Sequence, residues 1–318
     1  MFNSDSSPTL TNCVFEGNST SLYGGGGGMY NLISSPTLTG CVFEGNWAFN
    51  GGGMFNRDNS SPTLTNCTFT DNSGRAGGGM CNAETSIPTL SSCTFTGNSA
   101  DTGGGMRNSN SSPSLTECTF AGNSANSRGG GMFNLHSSSP TLAECTFTGN
   151  SAARGGGMWN FSSSPTLTDC TFTGNWVNGT YGLGGGMCNA ETSIPTLADC
   201  TFTSNSAAFG GGMHNGETSI PTLDDCTLCE NVPDQIDGFW ADARDNCVAT
   251  SCDDCDLPSD PCPTDLDENS ITDGGDLGAF FVHWGDCLVE DCPADFNDDE
   301  VVDGIDLGIL FSAWGPCQ

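Results

Sequence analysis

Residues 62–82 read PTLTNCTFTDNSGRAGGGMCN, and the same phrase returns about every 26 residues over most of the chain. Its near-constant parts are Pro-Thr-Leu-x-x-Cys-x-Phe-x-x-Asn, then a loop of variable length, then Gly-Gly-Gly-Met-x-Asn. The repeat cysteines are Cys13, Cys41, Cys67, Cys93, Cys118, Cys145, Cys170, Cys200 and Cys226, each five residues after a proline, from Pro8 to Pro221. The methionines run Met29, Met54, Met80, Met106, Met132, Met158, Met187 and Met213. Self-similarity at this period means a solenoid, a propeller or an array.

The residues inside the period choose among these. Cys67 and Phe69 alternate with Thr68 and Thr70, the period-two pattern of a half-buried strand. Leu64 faces inward on a short strand before them, and the polar position between (Asn66, Glu117, Asp169) suits a corner. Gly-Gly-Gly-Met supplies a third short strand. No window carries a 3.6-residue period, and a propeller blade needs four strands in about 40 residues. The expected fold is therefore all-β: a right-handed parallel β-helix of about nine coils over residues 1–231. At about 4.8 Å per coil, the rod is on the order of 40 Å long. Leu, Cys, Phe and Met stack as ladders inside it, and Asn side chains bond from coil to coil.

Composition limits what such a rod can do. The chain has 318 residues, 19 Cys, 45 Gly, six Arg, no Lys and 38 acidic residues, a net charge of −32. Neutralising nucleic-acid phosphates takes clustered cations, so that partner is excluded; no apolar stretch is long enough to span a bilayer. Nineteen cysteines favour an extracellular or cell-surface address. Met1-Phe2-Asn3 reads as the tail of a Gly-Gly-Gly-Met-x-Asn unit, so the chain is expected to begin inside a coil, with its export signal and upstream coils missing through truncation or a miscalled start.

After Asn231 the composition shifts: residues 231–318 hold 22 acids against one base, Arg244. Residues 232–261 read as a last coil or cap and a Cys-rich linker, and residues 262–318 as a separate small α-helical module. Two segments of that module place hard oxygen ligands at the spacing of a Ca²⁺ loop. The first offers Asp265, Asp267, Asn269, the carbonyl of Ile271, Asp273 and Asp276. The second offers Asp295, Asn297, Asp299, the carbonyl of Val301, Asp303 and Asp306. Apolar segments Leu277–Trp284 and Leu307–Trp314 follow, each long enough for about two helical turns. Cys262 and Cys287 bracket one loop, and Cys292 and Cys317 the other, so two disulfides are expected to close two units. Cys247, Cys252, Cys255 and Cys262 allow a zinc site or disulfides, with disulfides the expected state.

Phe69-Thr70-Asp71-Asn72 paired with Gly77-Gly78-Gly79-Met80, and their copies up to Phe202-Thr203-Ser204-Asn205, resemble the repeats of polymorphic outer-membrane proteins. That resemblance covers residues 1–231 and implies a β-helical surface protein, adhesins among them, although that family's membrane barrel is lacking. The duplicated loop and helix over residues 262–317 resemble a type I dockerin, with Ser270 and Glu300 where position 6 is ordinarily Gly. This implies bound Ca²⁺ and a cohesin-like or envelope partner.

Side chains with chemistry elsewhere have plainer readings. The nine-Cys column is expected to be buried unpaired thiol, since parallel neighbours sit farther apart than a disulfide prefers. His136, His214 and His283 fall in unrelated contexts. Arg57, Arg75, Arg107, Arg128 and Arg154 do not converge in the sequence, and Glu117, Glu144, Asp169 and Asp199 read as corner residues. The functional expectation is a surface rod, adhesin-like rather than enzymatic, presenting its Cys-to-Met loops to a glycan or other surface ligand. Tyr23, Trp176 and Tyr181 are the candidate contacts. A polysaccharide lyase or hydrolase is one alternative; an ice-binding face built on columns such as Thr68/Thr70 and Thr94/Thr96 is the other.

Overall fold

A computed structural model describes residues 1–20, 25–244, 246–252, 255, 266, 271–272, 274–282, 284–286, 294, 296, 301–312 and 315–316. The chain forms two compact units, Met1–Cys255 and Asp256–Gln318.

The first unit is a right-handed parallel β-helix of about nine coils. Each coil contributes one short strand to each of three ten-stranded parallel sheets. One sheet carries the leucines (Thr63–Thr65 and equivalents), one the phenylalanines (Thr68–Thr70), one the methionines (Met80–Ala83). Pairing is in register, so like stacks on like: Leu64 on Leu90, Phe69 on Phe95, Met80 on Met106. A three-residue strand points its central side chain to the opposite face from its neighbours. Here that face is the interior, where Leu64 and Phe69 are fully buried, as is Met80 at the head of its four-residue strand. From Phe15 to Phe202 the rings stack face to face, centroids 4.5–4.7 Å apart. Burial of each such ring stabilises the fold by about 2–3 kcal/mol.

Corners are made by residues in the left-handed region. Asn66, Glu117 and Asp169, between the leucine and phenylalanine strands, have φ of 53°, 53° and 52°. The acids at this position are therefore corner residues. The triglycine does not form the third strand, which begins at Met. It carries backbone rungs from coil to coil, Gly78 N–H donating to Gly103 O and Gly79 N–H to Gly104 O. A fourth sheet of six strands, from Trp47–Asn50 to Trp176–Val177, lies between the phenylalanine and methionine strands. The sequence pattern did not call for it.

The cysteine column is unpaired thiol and is buried from Cys41 to Cys226. Each thiol donates to the carbonyl two residues back, as Cys93 Sγ does to Ser91 O at 3.4 Å and Cys145 Sγ to Ala143 O at 3.3 Å. Each thiol is a second donor to a corner carbonyl that also accepts a backbone N–H from the coil before, Ser91 O from Asn66 N and Ala143 O from Glu117 N, both at 3.0 Å. Burial pushes the Cys41 thiol up, away from the reactive thiolate. In the native chain, Cys41, Cys67, Cys93, Cys118, Cys145, Cys170, Cys200 and Cys226 are expected to resist a thiol reagent at neutral pH and to react once denatured. Mass-spectrometric site mapping checks this; labelling of native Cys93 would contradict it.

The last coil departs from the pattern. Its strands Ile236–Asp237, Ala241–Arg244 and Cys247–Ala249 still pair with the coil before. Disulfides Cys229–Cys252 and Cys247–Cys255 tie it down, which takes three of the four cysteines away from zinc; Cys262 lies outside the described residues.

In the second unit, helix α1 spans Gly274–Val282 and helix α2 Gly304–Ser312. Both start three residues before the expected apolar segments, because Asp276 and Asp306 belong to the first helical turn. Asp303 caps α2, its Oδ1 accepting from Ile305 N at 2.7 Å, as an N-cap residue does. Ile271–Thr272 pairs antiparallel with Gly315–Pro316, and Val301–Val302 with Gly285–Asp286. Each repeat's loop strand thus pairs with the segment after the other repeat's helix. Phe280, Ala294, Val302 and Leu310 form the core between them.

Candidate functional site

The chain turns from the fourth sheet into the methionine sheet at the first residue of each triglycine. Gly103, Gly129 and Gly155 have φ of 64°, 64° and 61° there. A Cβ on them would lie 2.8, 2.8 and 2.9 Å from the Cβ atoms of Arg107, Phe133 and Trp159. Only glycine lets the two strands meet so closely. Two side-chain columns are thereby set against each other along the rod. One, on the outer face of the methionine sheet, runs Tyr30, Phe55, Cys81, Arg107, Phe133, Trp159, Cys188, His214, Asp237. The other, at the edge of the fourth sheet, runs Asn50, Ala76, Thr102, Arg128, Arg154, Leu183, Phe209.

Between them lies an open depression of about 290 Å³, lined by Phe49, Asn50, Arg75, Ala76, Asp101, Thr102 and Arg107. Arg75 stands over the Phe49 ring at 4.9 Å and donates from Nε to Asp101 Oδ2 at 3.0 Å. Asn126 Nδ2 donates to the other oxygen at 3.0 Å. These bonds, Asn126 first and Arg75 second, hold the Asp101 carboxyl below its usual range. Asp101 is the one carboxylate in the lining.

On the next coils, Arg128 and Arg154 both lie over the Trp159 ring, at 5.6 and 5.8 Å. Trp159 is 3% exposed and packs with Phe133, Leu135 and Cys188 in a small apolar cluster outside the main core. Further along the column, His214 Nδ1 and Asp237 Oδ2 are 2.6 Å apart. Cys188 precedes them in register, but burial pushes its thiol up, and among the described residues no hydrogen bond joins it to His214.

The arginines are thus less scattered than the sequence suggested. Arg75, Arg107, Arg128 and Arg154 gather along one flank, whereas Arg57 pairs elsewhere with Glu84 at 2.9 Å. A signal was present: Arg128 and Arg154 each stand four residues before a ladder methionine. Of the candidate aromatics, Trp176 is 42% exposed and Tyr181 80% exposed. Trp176 occupies the fourth-sheet edge away from the depression, in register with Ser151; Tyr181 sits in the turn leading to Leu183. Tyr23 lies outside the described residues. The threonine columns are in register but broken, by Val42 and Glu44 beside Thr68 and Thr70 and by Ala121 beside Thr96.

In the second unit, Asp265, Asp267, Asn269, Asp273, Asp295, Asn297 and Asp299 lie outside the described residues, as do Cys262, Cys287, Cys292 and Cys317. Asp276 and Asp306 are fully buried, and Asp306 accepts from Phe296 N at 2.8 Å and Asp303 N at 2.9 Å. Ile271 and Val301 lie in the paired loop strands. Among the described residues no group of three or more His, Cys, Asp and Glu is placed to hold a metal ion, and no helix is long and apolar enough to cross a membrane.

A family model for the right-handed β-helix region matches residues 1–120 and 101–253. No curated protein matches the chain.

Proposed function

Because the chain belongs to the right-handed β-helix family, a fold shared by enzymes and non-enzymes, we propose that it is an extracellular or cell-surface binding rod that holds a glycan chain along its flank. The observation that carries this reading is where the repeats differ from one another. Interior positions hold the same residue in coil after coil, whereas the two columns facing each other across the triglycine turns change type at almost every step. A scaffold that repeats its core and varies one linear flank is suited to an extended ligand. The depression, with Phe49 on one wall and polar groups around it, has the makeup of a sugar subsite. Its single carboxylate is already bonded to Asn126 and Arg75. A hydrolase needs a second carboxyl group working with it.

Incubating the whole chain with a panel of insoluble and gel-cast polysaccharides tests this. Retention of the protein without release of new reducing ends is expected. Filling the depression with Thr102→Trp should weaken retention by about tenfold or more, the loss of one well-packed contact. New reducing ends would make the protein an enzyme; no retention on any polymer would remove the binding reading.

For the second unit we propose two bound Ca²⁺ ions and docking to a cohesin-like or envelope partner. The support is the oxygen-rich donor set, with Asp276 and Asp306 buried at the loop ends and the loop strands cross-paired. Ca²⁺ would be held by the side chains of Asp265, Asp267, Asn269, Asp273 and Asp276 with the Ile271 carbonyl, and by Asp295, Asn297, Asp299, Asp303 and Asp306 with the Val301 carbonyl. It would supply positive charge to a strongly acidic segment. At a hundredfold excess over Kd, each ion should stabilise this unit by about 2.7 kcal/mol. Calorimetric titration of the full chain is expected to show about two ions and a melting transition that falls on chelation. A flat titration would overturn the assignment.

A further inference from the structure

Arg128 and Arg154 are backbone partners on adjacent coils, so their side chains leave the rod about one strand spacing apart. Both guanidiniums lie over one indole ring, at 5.6 and 5.8 Å. Among the described residues neither guanidinium has a hydrogen bond or an ion pair. This is unusual for a chain with 38 acidic residues. Three of the other four arginines pair with carboxylates, Arg57 with Glu84 at 2.9 Å, Arg75 with Asp101 at 3.0 Å and Arg244 with Asp224 at 2.8 Å, and the fourth, Arg107, donates to Cys81 Sγ at 4.0 Å. Beneath the pair, the Trp159 indole N–H is buried and has no hydrogen-bond partner among the described residues. The cluster therefore presents donors and no acceptor, with two like charges held side by side.

We infer that Arg128 and Arg154 form a two-pronged site for an anionic group on the bound glycan, a carboxylate or a sulfate ester. The inference rests on the glycan-binding reading of the flank and adds the chemistry of its ligand. Each guanidinium offers a planar fork of N–H donors that matches such a group, and one anion between the two relieves their mutual repulsion. The indole supports them from below. It pre-orders both side chains by cation–π contact, so less freedom is lost when the anion arrives. The site continues the depression, since Arg128 is in register with Thr102 in the depression's lining. A sugar in the depression and an acidic substituent on a neighbouring sugar fit this order along the rod axis. The chain's net charge of −32 repels anions at long range. At physiological salt that field is screened beyond about 8 Å, which leaves the local pair to decide.

The test is affinity electrophoresis of the full chain in gels cast with polygalacturonate, dextran sulfate or unsubstituted dextran. Retardation by one or both anionic polymers and none by dextran is expected, and which of the two retards assigns carboxylate or sulfate. Arg128→Met with Arg154→Met keeps the aliphatic cover over Trp159 and removes both charges. It should weaken binding by about tenfold or more, as loss of charge-assisted hydrogen bonds does. Arg128→Lys with Arg154→Lys should recover part of the loss, and Arg57→Met should change nothing. An unaltered melting temperature for the Met double variant separates lost binding from lost fold. Retardation by dextran equal to that by the anionic polymers, or by the Met double variant equal to the parent, overturns the anion site while leaving the flank a glycan binder. Absence of retardation in all three gels overturns both.

Discussion

Alanine at Gly130 is expected to break the rod in two. A Cβ at that position would lie 2.6 Å from Ser151 N and closer still to the carbonyl oxygens of Gly156 and Ser151. All three are backbone atoms of the next coil, so no rotamer change relieves the clash. Ordinary overpacking costs about 1–3 kcal/mol. This one must separate two hydrogen-bonded coils, and a cost of about 5 kcal/mol or more is expected. Coils contact only their neighbours, so the damage should stay local and show as two unfolding transitions in place of one. Gly122 supplies the comparison. It has a positive φ, 62°, which Gly130 does not, but no atom lies within 4 Å of its would-be Cβ. Asp71, Ser204 and Glu230 hold the same corner elsewhere with φ of 52°, 55° and 56°. Gly122→Ala should therefore cost only about 1–2 kcal/mol, the ordinary left-handed penalty. Denaturant melts of the two variants check the ranking; equal costs would show that the neighbouring coil gives way around the added Cβ, and that space does not set the need for glycine at this position.

The ladders were legible because a strand buried on one face declares itself by alternation. Thr68-Phe69-Thr70 does this in three residues, and stacking Phe69 on Phe95 needs only a constant spacing between them. The fourth sheet was not legible. Its members Trp47–Asn50, Ser73–Ala76 and Ser124–Arg128 differ in length and share only a small residue at the second position, Ala48, Gly74 and Ala125, which is too little to declare a strand. They are extended because the coils above and below offer hydrogen-bond partners, a tertiary cause that no local signal carries. The same variable loop hid the arginine pair. Counted from the preceding cysteine, Arg128 and Arg154 occupy different positions; counted back from Met132 and Met158 they occupy one. The ion pairing of Arg75 and the bare guanidiniums of Arg128 and Arg154 depend on what stands one coil away. The duplication of the acidic segments 265–276 and 295–306 can be read from the sequence, whereas the cross-pairing of Ile271–Thr272 with Gly315–Pro316 cannot, since it joins residues of different repeats. The cysteine column was legible as buried thiol, but its bond to the carbonyl two residues back required the corner geometry.

Replacing Asn123 by leucine should cost nearly as much as the triglycine substitution, for a different reason. Asn123 is fully buried and its side chain makes four hydrogen bonds. Its Oδ1 accepts from Asn98 N at 3.0 Å and Asn98 Nδ2 at 2.9 Å. Its Nδ2 donates to Phe95 O and Asn150 Oδ1, both at 2.9 Å. Leucine is of similar size, so little of the effect comes from a cavity. What remains is a buried backbone N–H on Asn98 and a side-chain N–H beside it, both without acceptors, each costing about 1–3 kcal/mol. With Phe95 O and Asn150 Oδ1 losing their donor on the other side, the sum is about 4–6 kcal/mol. Asn134, in the methionine-sheet ladder, is just as buried but makes only two side-chain bonds, from Asn108 Nδ2 at 2.8 Å and to Asn160 Oδ1 at 2.9 Å. Asn134→Leu leaves no backbone N–H orphaned and should cost about half as much. If the two variants unfold at the same denaturant concentration, burial alone explains the asparagines. If Asn123→Leu is the weaker by about 2 kcal/mol or more, the ladder beside the phenylalanines is the hydrogen-bonded seam that fixes coil register, and the variable flank is free to change because this seam is not.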